Sequence, residues 1–303
     1  MRAGDQPPVA VVGAGGFLGT ALARGLADRR ITTALFTRAA PFLSRAGRAA
    51  SGLRSAGTVF WLATSINPAL AESEPWRAEA DREALDSMLS ALAPPYPRVV
   101  VISSGGTVYD PRAVPPYRED TPTRPQGAYG LAKLALEQTL LGSPPGRAHG
   151  LVVRASNVYG PGQPGRSGQG VIAYWLRAAA AGEPITMYGD PASTRDYLYV
   201  DDAIGAFLAI AGTAGELPAV LNLGSGQPTS LGELAGIVSA AVGRPGAVMH
   251  EPGRPFDVPH AWLDVDLARR LLAWEPRVAL ATGVARAWSS VVAGSRRPLG
   301  SPA

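Results

Sequence analysis

A glycine turn, Gly13-Ala14-Gly15-Gly16-Phe17-Leu18-Gly19, follows the unbroken apolar run Val9–Val12 and opens a stretch in which Leu18, Ala21, Leu22, Gly25 and Leu26 recur at helical spacing. A strand without polar alternation is a strand covered on both faces. A chain that leaves such a strand through spaced glycines into an amphipathic helix is constrained toward a parallel sheet with helices packed on either side. Further runs of the same kind lie at 32–36, 59–62, 99–102, 151–153 and Val220–Leu223, and Leu85, Met88, Leu89 and Leu92 mark another helix between them.

This alternation predicts an α/β chain: a Rossmann-type doubly wound parallel sheet with a smaller C-terminal substrate-binding lobe. After Gly160 the pattern loosens, with helices expected over Val171–Ala181 and Leu231–Val242 and many prolines and glycines between. The expected division is a dinucleotide-binding part, 1–165 with 197–224, and a lobe, 166–196 with 225–303.

Composition removes several classes of function. There is no cysteine, so disulfides, thiolate nucleophiles and cysteine metal sites are excluded, and the three histidines, His149, His250 and His260, are too widely spaced for usual ligand motifs. Redox chemistry in such a chain requires an organic cofactor. The formal charge of +4 comes from scattered arginines, which argues against nucleic acid as a partner. No apolar run reaches the roughly 18 residues of a bilayer crossing, and residues 1–8 lack a signal-peptide core, so no membrane contact and a cytoplasmic location are expected.

The glycine turn itself predicts a dinucleotide site. Gly13 permits the tight turn, Gly16 lets backbone N–H groups at Phe17 and Leu18 approach a pyrophosphate, and Gly19 permits close helix packing. The second strand then ends in Leu35-Phe36-Thr37-Arg38, without the carboxylate that would bond the adenosine 2′-hydroxyl of NAD. Thr37 offers a hydroxyl and Arg38 a forked cation suited to a 2′-phosphate, so the cofactor expected is NADP(H).

Of 28 basic side chains only Lys133 is a lysine, and it lies four residues after Tyr129. On a helix that spacing places both on one face. A phenol beside an ammonium in a dry site is a proton donor, since the cation lowers the roughly 10 at which free tyrosine titrates. Elsewhere this chain uses arginine as its surface cation, so a solvated lysine beside a core tyrosine is the weaker explanation.

Taken in order, the glycine turn, Leu62-Ala63-Thr64 after a buried run, the segment 103–110 (SSGGTVYD), Tyr129-x-x-x-Lys133, the segment 154–162 (RASNVYGPG), the segment 195–202 (RDYLYVDD), the segment 222–226 (NLGSG) and Arg254-Pro255-Phe256-Asp257 resemble the extended short-chain dehydrogenase/reductase superfamily. The group resembled is that of the NAD-dependent epimerases and dehydratases of nucleotide sugars. Within it, the segments 60–71 (FWLATSINPALA) and 103–110 are most similar to dTDP-4-keto-6-deoxyhexose 4-ketoreductases of deoxysugar biosynthesis. The resemblance implies Leu62, Ala63, Thr64 and Ser103 along the cofactor. It also implies Asn157, Arg195 and Arg254 at the substrate diphosphate, Asp257 at the nucleoside ribose, and a homodimer through helices near 77–92 and 129–141.

Three departures accompany it. Gly105 stands where the family places its catalytic serine or threonine, leaving Ser104 or Thr107 to hold the substrate oxygen, with Thr107 favoured. Gly106 and Thr107 replace the acid and base of a dehydratase, so water elimination is not expected. Residues 39–58 are too few for the family's third strand with its usual adenine contact. The activity implied is NADPH-dependent reduction of the C4 ketone of a nucleotide-activated 4-keto-6-deoxyhexose, with dTDP as the expected nucleotide. The alternatives are an NAD-dependent 4-epimerase, opposed by Arg38, and a non-catalytic NADP sensor, opposed by Tyr129 with Lys133.

Overall fold

The computed structural model describes residues 7–165, 170–243, 247–253 and 257–295. Its main sheet has six strands, in the order Val220–Leu223, Gly150–Ala155, Arg98–Ser104, Thr58–Trp61, Val9–Val12 and Thr33–Phe36. Every pairing in it is parallel. Side chains alternate across the first strand. Val9 and Val11 enter a core with Leu22, Leu26, Phe60 and Phe207, whereas Ala10 and Val12 enter one with Leu85, Met88, Leu136 and Leu140. Both faces are therefore packed, which explains the apolar runs that lack polar alternation.

One expected run departs from this. Thr33–Phe36 forms the sheet edge, and Leu35 is 46% exposed rather than buried. The reason lies in the following segment. After Phe36 the chain makes a turn closed by the Thr37 N–H to the Ala40 carbonyl, a Leu43–Ala49 bridge and a short helix, Ser51–Arg54, before it enters Thr58–Trp61. No strand forms there to cover the edge, as the short spacing predicts.

The chain passes from the first strand to the edge and then back across to Thr58–Trp61 on the first strand's other side. This reversal opens a crevice at the C-terminal ends of the two neighbouring strands, where parallel α/β sheets bind ligands. Beyond the main sheet, Asn157–Tyr159 pairs with Tyr197–Tyr199, Ile185–Tyr188 with Val248–Glu251, and Thr194–Arg195 with both Thr229–Ser230 and His260–Ala261. Among the described residues no helix is long and apolar enough to cross a membrane.

Candidate active site

The glycine turn sits at the crevice. Gly13 has φ +91°, and a Cβ there would lie 2.6 Å from the Ala63 nitrogen and 2.8 Å from the Leu62 carbonyl carbon, so the backbone at 62–63 packs directly on the turn. A Cβ at Gly19 would lie 2.1 Å from the Gly13 oxygen, which couples the helix Phe17–Asp28 to the same turn. Gly16 is the N-cap of that helix and offers no side-chain acceptor, leaving the first helical N–H groups, at Phe17 and Leu18, for an anion. The Leu62 N–H bonds the Val12 carbonyl, and Asp81 accepts from the Thr64 hydroxyl at 3.1 Å and the Ser65 N–H at 2.7 Å.

Thr37 lies beside the turn, its methyl 3.8 Å from a Cβ placed on Gly15, while its hydroxyl accepts the Ala40 N–H. Arg38 is exposed and makes no ion pair among the described residues. A backbone cradle, a helix start with no side-chain cap and an exposed guanidinium fit a dinucleotide phosphate chain.

Tyr129 and Lys133 lie in the helix Ala128–Gly142. Lys133 is only 6% exposed; its Nζ donates to the Ile102 carbonyl at 3.3 Å and stands 5.6 Å from the centre of the Tyr129 ring. The lysine is thus held inward, beside the phenol. One turn further, buried Glu137 accepts from the Ser103 hydroxyl and takes a forked pair from Arg154, with Nη2 at 2.7 Å from Oε2 and Nε at 3.1 Å from Oε1. The Ser103 hydroxyl therefore faces this carboxylate, and its backbone is what remains for a cofactor.

The Arg154 guanidinium covers the Tyr109 ring at 4.8 Å. Burial pushes the Tyr109 phenol up to about 12, and it donates to Asn222 Oδ1 at 2.5 Å. Asn222 in turn donates to the Tyr117 carbonyl at 2.9 Å. Sequence reading missed this network. Its available signal was Glu137 at a second interval of four beyond Tyr129, on a register that must face the sheet.

Thr107 and Tyr129 line one cleft, together with Pro68, Glu72, Pro111 and Val258. The Thr107 Oγ1 is buried and has no hydrogen-bond partner among the described residues, a condition that costs free energy unless a ligand supplies the partner. Ser104 does not line the cleft; its carbonyl accepts the Thr107 N–H at 3.3 Å. The glycine at 105 also has a local cause. A Cβ there would lie 2.6 and 2.8 Å from the methyls of buried Leu263 and 3.2 Å from the Arg154 carbonyl oxygen. Leu263 occupies the space a serine would need. A larger cavity, between the helices Val171–Ala181 and Leu280–Ser295, includes neither Tyr129 nor the glycine turn.

The expected substrate contacts Asn157, Arg195 and Asp257 are not among the residues that line the Tyr129 cleft. Asn157 is exposed and donates through Nδ2 to the Asp196 carbonyl at 3.0 Å. Arg195 is half-buried and donates to the carbonyls of Thr194 at 2.9 Å and Pro259 at 3.3 Å. Pro259 follows Val258, which lines the cleft, and Asp257 is exposed just before it. Arg254 lies outside the described residues. Between Asn157 and Arg195, burial raises the Asp196 carboxyl, which accepts from the Ser225 N–H and hydroxyl at 2.8 and 2.7 Å and from the Gly226 N–H at 3.1 Å. It pins the loop after the last main-sheet strand to the segment carrying Arg195.

Comparison with known proteins shows the family and the fold. A family model described as "NAD dependent epimerase/dehydratase family" matches residues 9–224. A UDP-glucose 4-epimerase of Mycolicibacterium smegmatis is 38% identical over 62% of this chain and 60% of its own length. A dTDP-6-deoxy-L-talose 4-dehydrogenase (NAD(P)(+)) of Kitasatospora kifunensis is 34% identical over 69% and 67%. The matches to the first curated relatives thus span about six-tenths of those proteins. The crystal structure of a UDP-glucose 4-epimerase from Thermotoga maritima with UDP-glucose superposes with a TM-score of 0.83 at 25% identity, over 95% of this chain and all of that one.

Proposed function

The chain belongs to the NAD dependent epimerase/dehydratase family, and from that premise we propose that it is an NADPH-dependent reductase of the C4 ketone of a nucleotide-activated 4-keto-6-deoxyhexose, carried on dTDP. The observation that carries this reading is the pairing, in one cleft, of Tyr129 with the buried and unpartnered Thr107 hydroxyl. A ketone oxygen between them takes the hydrogen bond Thr107 lacks and, as charge develops on it, the phenolic proton of Tyr129.

The nicotinamide dinucleotide, when bound, supplies the hydride. The protein's part is positional. The turn Gly13–Gly19 and the backbone at 62–64 hold the diphosphate and ribose side, with Thr37 and Arg38 at the adenosine 2′-phosphate. Lys133 stands under the phenol. Asn157, Arg195, Arg254 and Asp257 hold the sugar nucleotide, so that binding energy remote from the ring orients it.

The names of relatives support both reduction and epimerisation: alongside the 4-epimerases stands a dTDP-4-dehydro-6-deoxyglucose reductase of Escherichia coli, 30% identical over 64% of this chain. Arg38, with no carboxylate on the segment that follows the second strand, favours the reductase. An epimerase regenerates its own NAD and gains nothing from a cation that reads a phosphate. The dinucleotide part we propose is 1–165 with 197–224, and the sugar-nucleotide lobe 166–196 with 225–303. The homodimer we propose packs the helices Trp76–Ser90 and Ala128–Gly142, which expose Trp76 and Leu131.

The test is consumption of NADPH by the purified protein with dTDP-4-keto-6-deoxyglucose. Stoichiometric oxidation is the expected result. Purification with NAD that dialysis does not remove, together with interconversion of C4 epimers, would instead establish the epimerase.

A further inference from the structure

Glu72 is a carboxylate on the cleft wall to which no role has been given. It ends the short helix Pro68–Ser73, whose start is fixed by buried Asn67, the Oδ1 of which accepts the Leu70 N–H at 2.9 Å. From there Glu72 reaches across to the helix that carries Tyr129. Its Oε1 accepts the Ala128 N–H at 2.8 Å, and that helix has Gly127 at its N-cap, with no side-chain acceptor of its own. Glu72 therefore supplies from another element the acceptor that Gly127 lacks, at the end of a helix where a negative group is favoured. One carboxylate oxygen is tied down one residue before the proton donor. The other, Oε2, has no hydrogen-bond partner among the described residues.

A sugar tethered at C1 through its diphosphate and held at its C4 oxygen by Thr107 and Tyr129 can still turn about the axis through those two carbons. Fixing that rotation requires a further anchor on the ring. Besides Thr107, Tyr109 and Tyr129, the cleft offers Pro68, Pro111 and Val258, which suit C–H edges, the neutral amide of Gln126 and one carboxylate, Glu72. Hydroxyl to carboxylate is the stronger kind of hydrogen bond, and a carboxylate retains several acceptor positions after it has taken one N–H. In a sugar whose C4 oxygen is held by Tyr129 and Thr107, the nearest ring hydroxyl is that on the carbon beside the reacting one, and Glu72 lines the same cleft.

We propose that Glu72 is the specificity residue for the sugar, accepting a hydrogen bond from the hydroxyl on the ring carbon adjacent to the reacting carbon while its other oxygen stays on the Ala128 N–H. This rests on the nucleotide-sugar reading above. A purely capping role would leave the same Ala128 bond and no interest in the sugar, and the two differ in measurement.

Calorimetric titration with dTDP-6-deoxyglucose, with its 3-deoxy counterpart and with dTDP separates them, because it needs no turnover. The wild-type protein should prefer the hydroxylated sugar by about ten- to hundredfold, the scale of a hydrogen bond to a charged group. Glu72→Ala should bring the two sugars to within about threefold and leave dTDP binding unchanged. Glu72→Gln, whose amide oxygen can still take the Ala128 N–H, should melt like the wild type and keep only part of the preference. An undiminished preference in Glu72→Ala, with a lowered melting temperature alone, would overturn the proposal and leave Glu72 a cap. Failure of every dTDP ligand to bind the wild type would overturn the functional reading, and with it the role of Glu72, and is distinguishable from that outcome.

Discussion

The glycine turn and the Tyr129 cleft lie on the same sheet but are built on opposite principles. The turn is made of backbone: Gly13 and Gly19 have no room for a methyl group because carbonyls and nitrogens of 13–14 and 62–63 stand where one would go. The cleft is made of side chains from separate segments, with Thr107 from the loop after Arg98–Ser104, Tyr129 from a helix, Glu72 from another and Val258 from the C-terminal part. A backbone site tolerates almost no substitution and needs few particular side chains. A side-chain site tolerates the fold's variation and depends on single atoms, which is how one scaffold carries different chemistries on a shared cofactor cradle.

The largest effect expected from this contrast is Tyr129→Phe. It removes one oxygen from the cleft, so turnover should fall by roughly two to four decades while NADPH affinity and melting temperature remain. Parallel loss of cofactor affinity would show that the two regions are not separable. Thr107→Val comes next. It deletes the unpartnered hydroxyl, and single-turnover rates should fall by about 10²-fold. If Ser104→Ala produces that loss and Thr107→Val does not, the oxyanion contact belongs to Ser104.

Gly105→Ser probes the place where the cleft obeys the rule of the turn. The serine Cβ meets the Leu263 methyls and the Arg154 carbonyl, so restoring the family's usual hydroxyl should destabilise the protein by ~1–3 kcal/mol in denaturant titration. Unchanged stability with raised activity would show that Leu263 yields freely and that the site lacks a serine for no packing reason. The smallest effect is on the cofactor side, where Arg38 is the one feature argued from a charged side chain. Arg38→Ala should reduce the preference for NADPH over NADH by about 10- to 100-fold as read by fluorescence titration. A preference for NADH in the unsubstituted protein would remove the main support for the reductase.

Much of this was legible in residue order alone. The strands at Val9–Val12 and Val220–Leu223 and the helices Val171–Ala181 and Leu231–Val242 have the bounds that their apolar spacing predicts. Strands buried on both faces and helices with one apolar stripe have a period, and a period is local information. The same holds for the glycine turn and for Tyr129 with Lys133, whose residues meet because each group lies within one turn or one helix face. The exposed Leu35 was not legible as such, because an apolar residue in a short run reads the same at an edge as at the centre. Only the failure of 37–57 to add a strand decides it.

The choice between Thr107 and Ser104 was of the second kind. Both hydroxyls lie in one loop, and the direction each faces is set by how that loop packs under Gly130 and Leu263, which come from far along the chain. The reason for Gly105, the approach of Glu72 to Ala128 and the Glu137–Arg154 pair are likewise contacts between segments whose spacing in sequence carries no period. Sequence alone determined the sheet, the glycine turn and the meeting of Tyr129 with Lys133, since those follow from hydrogen-bonding repeats and steric rules that act over a few residues. Only the tertiary structure decided which hydroxyl is left unpartnered and which carboxylate reaches the cleft, because a side chain's partner is set by the packing of elements that no local rule brings together.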